Sequence, residues 1–128
     1  MKELMVILSV SEMIYTQIIR EMLRCRGNRN FVTELVNLGS SAVSQGQLTG
    51  EAMLGKLIMS LPLNVKGRKH FKANLTDEEY NGFWRMAEVL GVRTKREILL
   101  AMCFMVEKKF QYVIANPIAD VVSGIRGM

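Results

Sequence analysis

The stretch from His70 to Lys109 constrains the fold more tightly than any other part of the chain. His70-Phe71-Lys72-Ala73-Asn74-Leu75 alternates polar and apolar side chains, the two-residue period of a strand with one face buried and one in water. Thr76 with Glu79 three positions on is a capping box, in which hydroxyl and carboxylate satisfy amides that the first turn leaves unpaired, so a helix is predicted from Asp77. Tyr80, Phe83, Trp84, Ala87 and Leu90 recur at three- and four-residue steps along one stripe, and Gly91 supplies the left-handed residue that ends a helix. Thr94 and Glu97 repeat the capping box. Ile98, Ala101, Met102, Met105 and Phe110 follow at helical spacing, closed by the basic pair Lys108-Lys109, which suits a helix C-terminus. The order is strand, helix, turn, helix.

The same order is found earlier in the chain. Leu4–Val10 reads as a strand, Ser11 as a cap, and Met13, Ile14, Ile18, Met22 and Cys25 as the stripe of a helix that Gly27 closes. Asn30 then caps a second helix carrying Phe31, Leu35, Leu38 and Ala42, which runs out near Ser44-Gln45-Gly46. Laying Val10 on Leu75 gives a weak internal repeat at an offset of 65 residues, drifting by one to two residues at the turn. In that register Val6, Leu8 and Val10 point inward and Met5, Ile7 and Ser9 outward.

This order, with a Gly-Val-Arg-Thr-Lys turn at 91–95, resembles the ribbon-helix-helix family of DNA-binding proteins, which includes the Arc and methionine repressors. The resemblance covers about a third of the chain. It implies two strands paired antiparallel, entering the DNA major groove as a ribbon, and a second helix whose start binds a phosphate. Such a unit needs a partner, because a lone two-stranded ribbon is only marginally stable. With both copies in one chain the arrangement is similar to tandem ribbon-helix-helix proteins such as the TraY-type accessory proteins of plasmid conjugation. The expected fold is therefore mostly α with a short two-stranded antiparallel β-ribbon, a tandem ribbon-helix-helix pseudo-dimer in which residues 4–10 pair with 70–75. Its parts are a first copy at 1–46, a linker with a short helix at 47–69, a second copy at 70–111 and a tail at 112–128, together one compact unit. In the linker Thr49 caps a helix over Glu51–Leu61 that Pro62 stops, and in the tail Pro117 breaks any continuing helix.

On that pattern the expected base-reading residues are His70, Lys72 and Asn74, with Ser9 from the first copy. The rest of the first strand's outward face, Met5 and Ile7, is apolar and departs from the family pattern. Expected phosphate contacts are Arg29 and Asn30 in the first copy, Arg93, Thr94 and Lys95 in the second, and Lys66, Arg68 and Lys69 where the strand enters the groove.

Seventeen basic against twelve acidic residues leave a net charge of +5, which permits an anionic partner. No segment approaches the ~20 apolar residues of a spanning helix, and Met1-Lys2-Glu3 does not read as a secretory signal. A cytoplasmic protein without membrane contact is expected. Cys25 and Cys103 read as free thiols in a reducing compartment. With one histidine and no Cys-x-x-Cys or glycine-rich phosphate loop, the chain offers no metal cluster, Ser-His relay or nucleotide cradle. Asp77-Glu78-Glu79 suits the positive end of a helix dipole, and Tyr80, Phe83 and Trp84 read as packing. Neither an enzyme nor a cofactor is expected.

The leading functional expectation is sequence-specific binding of double-stranded DNA, as a transcriptional repressor or as a transfer-origin accessory protein. It would work beside the transcription machinery or a relaxase, as a monomer or a low-order oligomer on DNA. The alternative is a protein-interaction adaptor on a helical scaffold, docking through the apolar first strand and the Val113–Val122 tail.

Overall fold

The computed structural model describes the backbone of residues 1–43 and 67–115, with the side chains of these except at 42–43 and 109–115. Strand β1 (Lys2–Leu8) leads into helices α1 (Val10–Met22) and α2 (Asn28–Val43). Strand β2 (Lys69–Leu75) leads into α3 (Asp77–Leu90) and α4 (Lys95–Ala115). Among the described residues the protein is mostly helical, four helices over one two-stranded antiparallel ribbon. The expected linker helix at 51–61, Lys66, the Pro117 break and the side chains of Ala42, Phe110 and Val113 lie outside what is described.

The ribbon follows from alternation. Phe71, Ala73 and Leu75 on β2 and Leu4, Val6 and Leu8 on β1 are buried, while His70, Lys72 and Asn74 are exposed. Pairing runs from Lys2 opposite Leu75 to Leu8 opposite Lys69. The strands thus span 2–8 and 69–75 rather than 4–10 and 70–75, and Val10 belongs to α1 instead of the inward row.

Local chemistry repeats between the halves at a shift of 67 residues, which carries Lys2 onto Lys69 and Leu8 onto Leu75. Ser9 caps α1 as Thr76 caps α3: each hydroxyl accepts from the amide three residues on, and the Glu there, Glu12 or Glu79, accepts from the cap's own amide. Ser11, expected as the cap, lies two residues further along. The expected offset of 65 is wrong by two because a period-two strand pattern is unchanged by a slip of two. Ser9-x-x-Glu12 was the discriminating signal, since Ser11 is followed at that spacing by Ile14.

The repeat holds through the turns without drift. Gly91 ends α3 at φ 73°, and Arg24 takes the equivalent left-handed position after α1 at φ 56°. The same closing bond follows each: Cys25 N–H donates to the Arg20 carbonyl, Val92 N–H to that of Ala87. Gly27, expected to close α1, instead accepts the first bond of α2 from Phe31, and Asn30 is the third residue of α2 rather than its cap. Arg24 is the one non-glycine residue at positive φ among the described residues, so its backbone carries a Cβ clash that glycine would not. Arg24→Gly is expected to stabilise the fold by ~0.5–1 kcal/mol, read as a raised thermal midpoint.

Each second helix packs on the other half's strand and first helix: α2 on β2 and α3, α4 on β1 and α1, with α2 and α4 against each other. Ile98 through Val106 of α4 is buried on every face, as a helix surrounded by others must be. On α1 the burial falls on Glu12, Thr16 and Ile19, whereas Ile14 and Ile18, expected in the core stripe, are half exposed. Two polar residues with partners of their own hold the inward face there, so apolarity misplaces it.

Candidate nucleic-acid interface

The outward face of the ribbon consists of three cross-strand pairs: Glu3 opposite Asn74, Met5 opposite Lys72, and Ile7 opposite His70. All but the half-buried Met5 are exposed. Strand alternation alone brings His70, Lys72 and Asn74 together on this face, which lies away from the core formed by Phe71, Ala73 and Leu75. Ser9 is not part of it; it stands beyond the strand with its hydroxyl accepting from the Glu12 amide. Glu3 belongs to the face and was missed, because the first strand begins at Lys2 rather than Leu4.

The starts of the two second helices flank this face. One groove is lined by Gly27, Asn28 and Arg29 together with Lys72, Ala73 and Asn74; another is lined by Thr94, Lys95 and Arg96 together with Met5, Val6 and Ile7. They occupy the same place in the two halves, at the shift of 67 that relates Gly27 to Thr94 and Met5 to Lys72. Asn28 ties the first groove together. Its Nδ2 donates to the Lys72 carbonyl on the ribbon edge at 2.7 Å, and its Oδ1 accepts from Arg20 Nη1 at 2.8 Å.

Arg29, expected at a phosphate, has a partner within the protein, and so does Arg96, which was not among the expected contacts. Arg29 Nε donates to the Glu79 carboxylate at 3.1 and 3.3 Å, and in the equivalent position Arg96 Nε donates to Glu12 at 3.0 Å, with a second bond from Nη2. Glu12 and Glu79 therefore each serve their own helix and receive an arginine from the other half. Thr94 caps α4: its hydroxyl accepts from the Glu97 amide at 3.1 Å and donates to the Glu97 carboxylate at 2.9 Å. Arg93, Asn30, Arg68 and Lys69 are exposed and Lys95 is half-buried. Lys66 lies outside the described residues. The Lys2 ammonium sits over the Tyr80 ring, 5.2 Å from its centre, on the side away from the outward face.

Burial raises the Glu12 pKa, but the Arg96 guanidinium and the Ser9 amide and hydroxyl more than offset it, and the carboxyl lies below its usual value near 4.5. Glu79 is lowered by the Thr76 amide and then by Arg29, and Glu97 by the Thr94 hydroxyl. A carboxyl whose folded pKa is depressed contributes stability above its unfolded pKa and loses it as pH falls through the folded one. The thermal midpoint is thus expected to drop on acidification below 4.5. Glu12→Gln should lower the midpoint at neutral pH and flatten that acid limb.

Among the described residues there is no group of acidic, histidine or cysteine side chains placed to hold a metal ion, and Cys25 and Cys103 are free. No described helix is long and apolar enough to cross a membrane. No family model matches this chain, no curated protein matches it, and no solved structure matches it.

Proposed function

We propose that the chain is a tandem ribbon-helix-helix protein, two copies in one polypeptide, that binds double-stranded DNA in a sequence-specific way. The observation that carries this reading is the outward row His70, Lys72 and Asn74 on a two-stranded ribbon, with no side-chain partner among the described residues and with helix starts on both flanks. A two-stranded ribbon fits the major groove, which presents a distinct donor and acceptor pattern for each base pair. Lys72 would donate to guanine, Asn74 would take adenine bidentately, and His70 would meet a base edge at the end of the strand. The amides at Asn28 and Lys95, with Arg93, Lys95, Arg68 and Lys69, would hold the backbone phosphates that set the register.

The recurrence of caps, left-handed turn residues and ion pairs at one constant shift supports the tandem reading. Because the two outward rows differ, one molecule would recognise a non-palindromic site. Repression of a promoter and marking of a plasmid transfer origin for a relaxase are both served by such binding.

A second reading, an adaptor that docks a protein, is favoured by the half-exposed Ile14 and Ile18, one helical turn apart on α1. A gel shift with mixed-sequence duplex at two salt concentrations separates the two. The DNA reading expects binding that weakens steeply with salt, by about one power of the salt concentration for each phosphate neutralised. No shift at either concentration would reject it in favour of the adaptor.

A further inference from the structure

The two halves of the ribbon do not present the same chemistry at any of the three outward positions, and the two ends of the face differ from each other. Under the shift that relates the halves, Glu3 stands where His70 stands, Met5 where Lys72 stands, and Ile7 where Asn74 stands. The Met5–Lys72 pair is at the centre. One end is then Glu3 with Asn74, and the other is Ile7 with His70. The remaining buried or capping carboxylates are engaged, Glu12 with Arg96, Glu79 with Arg29 and Glu97 with Thr94. Glu3 is exposed and has no hydrogen-bond or ion-pair partner among the described residues.

We infer that Glu3 determines which way round the ribbon lies on DNA, by requiring a cytosine at the end of the site that it shares with Asn74. This rests on the DNA reading above and adds the identity of one base and the residue that demands it. A carboxylate only accepts. Guanine shows two acceptors in the major groove, and thymine an acceptor and a methyl group, so both leave the carboxylate desolvated without a donor. Cytosine shows the N4 amino donor with no neighbouring acceptor of its own, and adenine shows N6 beside the N7 that repels. The ranking places cytosine first.

Directly opposite residues in an antiparallel pair have Cβ atoms about 4.5–5.5 Å apart, so Asn74 reads an adjoining base from the other strand of the ribbon. Ile7 offers the far end an apolar surface suited to a thymine methyl, where a cytosine amino group finds no acceptor. A negative charge on a face that meets DNA weakens binding everywhere, and the one base that hydrogen-bonds to it restores the loss. Discrimination obtained through such a penalty on the wrong sites gives the molecule a single orientation.

The test is selection of duplexes from a random pool by the full chain, by Glu3→Gln and by Glu3→Ala, followed by titration of the selected duplex and its single-base variants at one salt concentration. Glu3 is exposed, and an unchanged thermal midpoint in both variants confirms folding. The expected wild-type site has a fixed cytosine toward one end, and changing it to guanine weakens binding about tenfold. Glu3→Ala should bind the two duplexes equally and bind unrelated duplex more tightly than the wild type, while the positions that respond to Lys72→Ala stay fixed. Selection of the same site by Glu3→Ala, with the same penalty for guanine, would overturn this inference and leave the DNA reading intact. A wild type that enriches no site would overturn both.

Discussion

Lys72→Ala and Asn74→Ala are each expected to abolish preference at particular base pairs, at a cost of ~1–3 kcal/mol against the best duplex and little against the others. Both side chains are exposed at alternate positions of β2 and point away from the core, so their removal leaves no cavity and no unpaired buried group. The thermal midpoint should hardly move. Lys72 still accepts the Asn28 bond after truncation, because that bond goes to its backbone carbonyl. Lys69→Ala, at the strand entrance, should weaken all duplexes alike and lower the salt slope by about one. Titration of a selected duplex and its single-base variants separates these effects, and an unchanged base profile in the first two variants would reject them as readers.

Phe83→Ala is expected to cost ~3–5 kcal/mol, the usual range for deleting a fully buried aromatic ring that leaves a cavity. Phe83 lies on α3 with no exposed surface, its ring edge-on to Trp84 at 6.3 Å between centres. The equivalent position on α1 is Thr16, so the other half has no ring at the matching place. Since α2 packs on α3 and β2, and α4 packs on α1 and β1 as well as on α3, the two halves share one core. Loss of Phe83 should destabilise both halves in one transition. Urea unfolding followed in parallel by Trp84 fluorescence and by far-ultraviolet circular dichroism should give coincident curves with a lowered midpoint. Separate transitions would show that the halves stand independently.

The second half of the fold was legible up to its last boundary because side-chain chemistry marks the others; α4 runs on to Ala115, past the Lys108-Lys109 pair expected to close it, since a basic pair suits a helix end without breaking the helix. Thr76 with Glu79, Gly91, and Thr94 with Glu97 each specify a backbone hydrogen bond or a left-handed residue, and each stands where expected. The first half was legible only to within two residues. Its strand pattern tolerates a slip of two, and Arg24 holds a left-handed position that nothing about arginine announces. The inward face of α1 was obscured for a related reason: Glu12 and Thr16 are buried with partners, while Ile14 and Ile18 face outward.

The outward row on β2 was readable from period two alone. Glu3 was not readable in this way, because β1 opens on the charged Lys2 and Glu3 while the apolar run starts only at Leu4. The pairing of Arg29 with Glu79 and of Arg96 with Glu12 joins residues 50 and 84 positions apart, a separation at which no local spacing carries a signal. The same holds for the Asn28 bond to the Lys72 carbonyl, 44 positions away. In both cases the contact exists only because the second helix of one half crosses onto the other.

DNA binding of the proposed kind requires that the ribbon's outward face be the surface that meets the duplex. Amide and side-chain resonances of the isotope-labelled full chain, followed while a mixed-sequence duplex is titrated in at low salt, address this directly. The largest shifts are expected at Met5, His70, Lys72 and Asn74 and at the helix starts Asn28 and Lys95, with Ile14, Ile18 and Val89 unmoved. Shifts confined to the α1 face, with the ribbon residues unmoved, would contradict it.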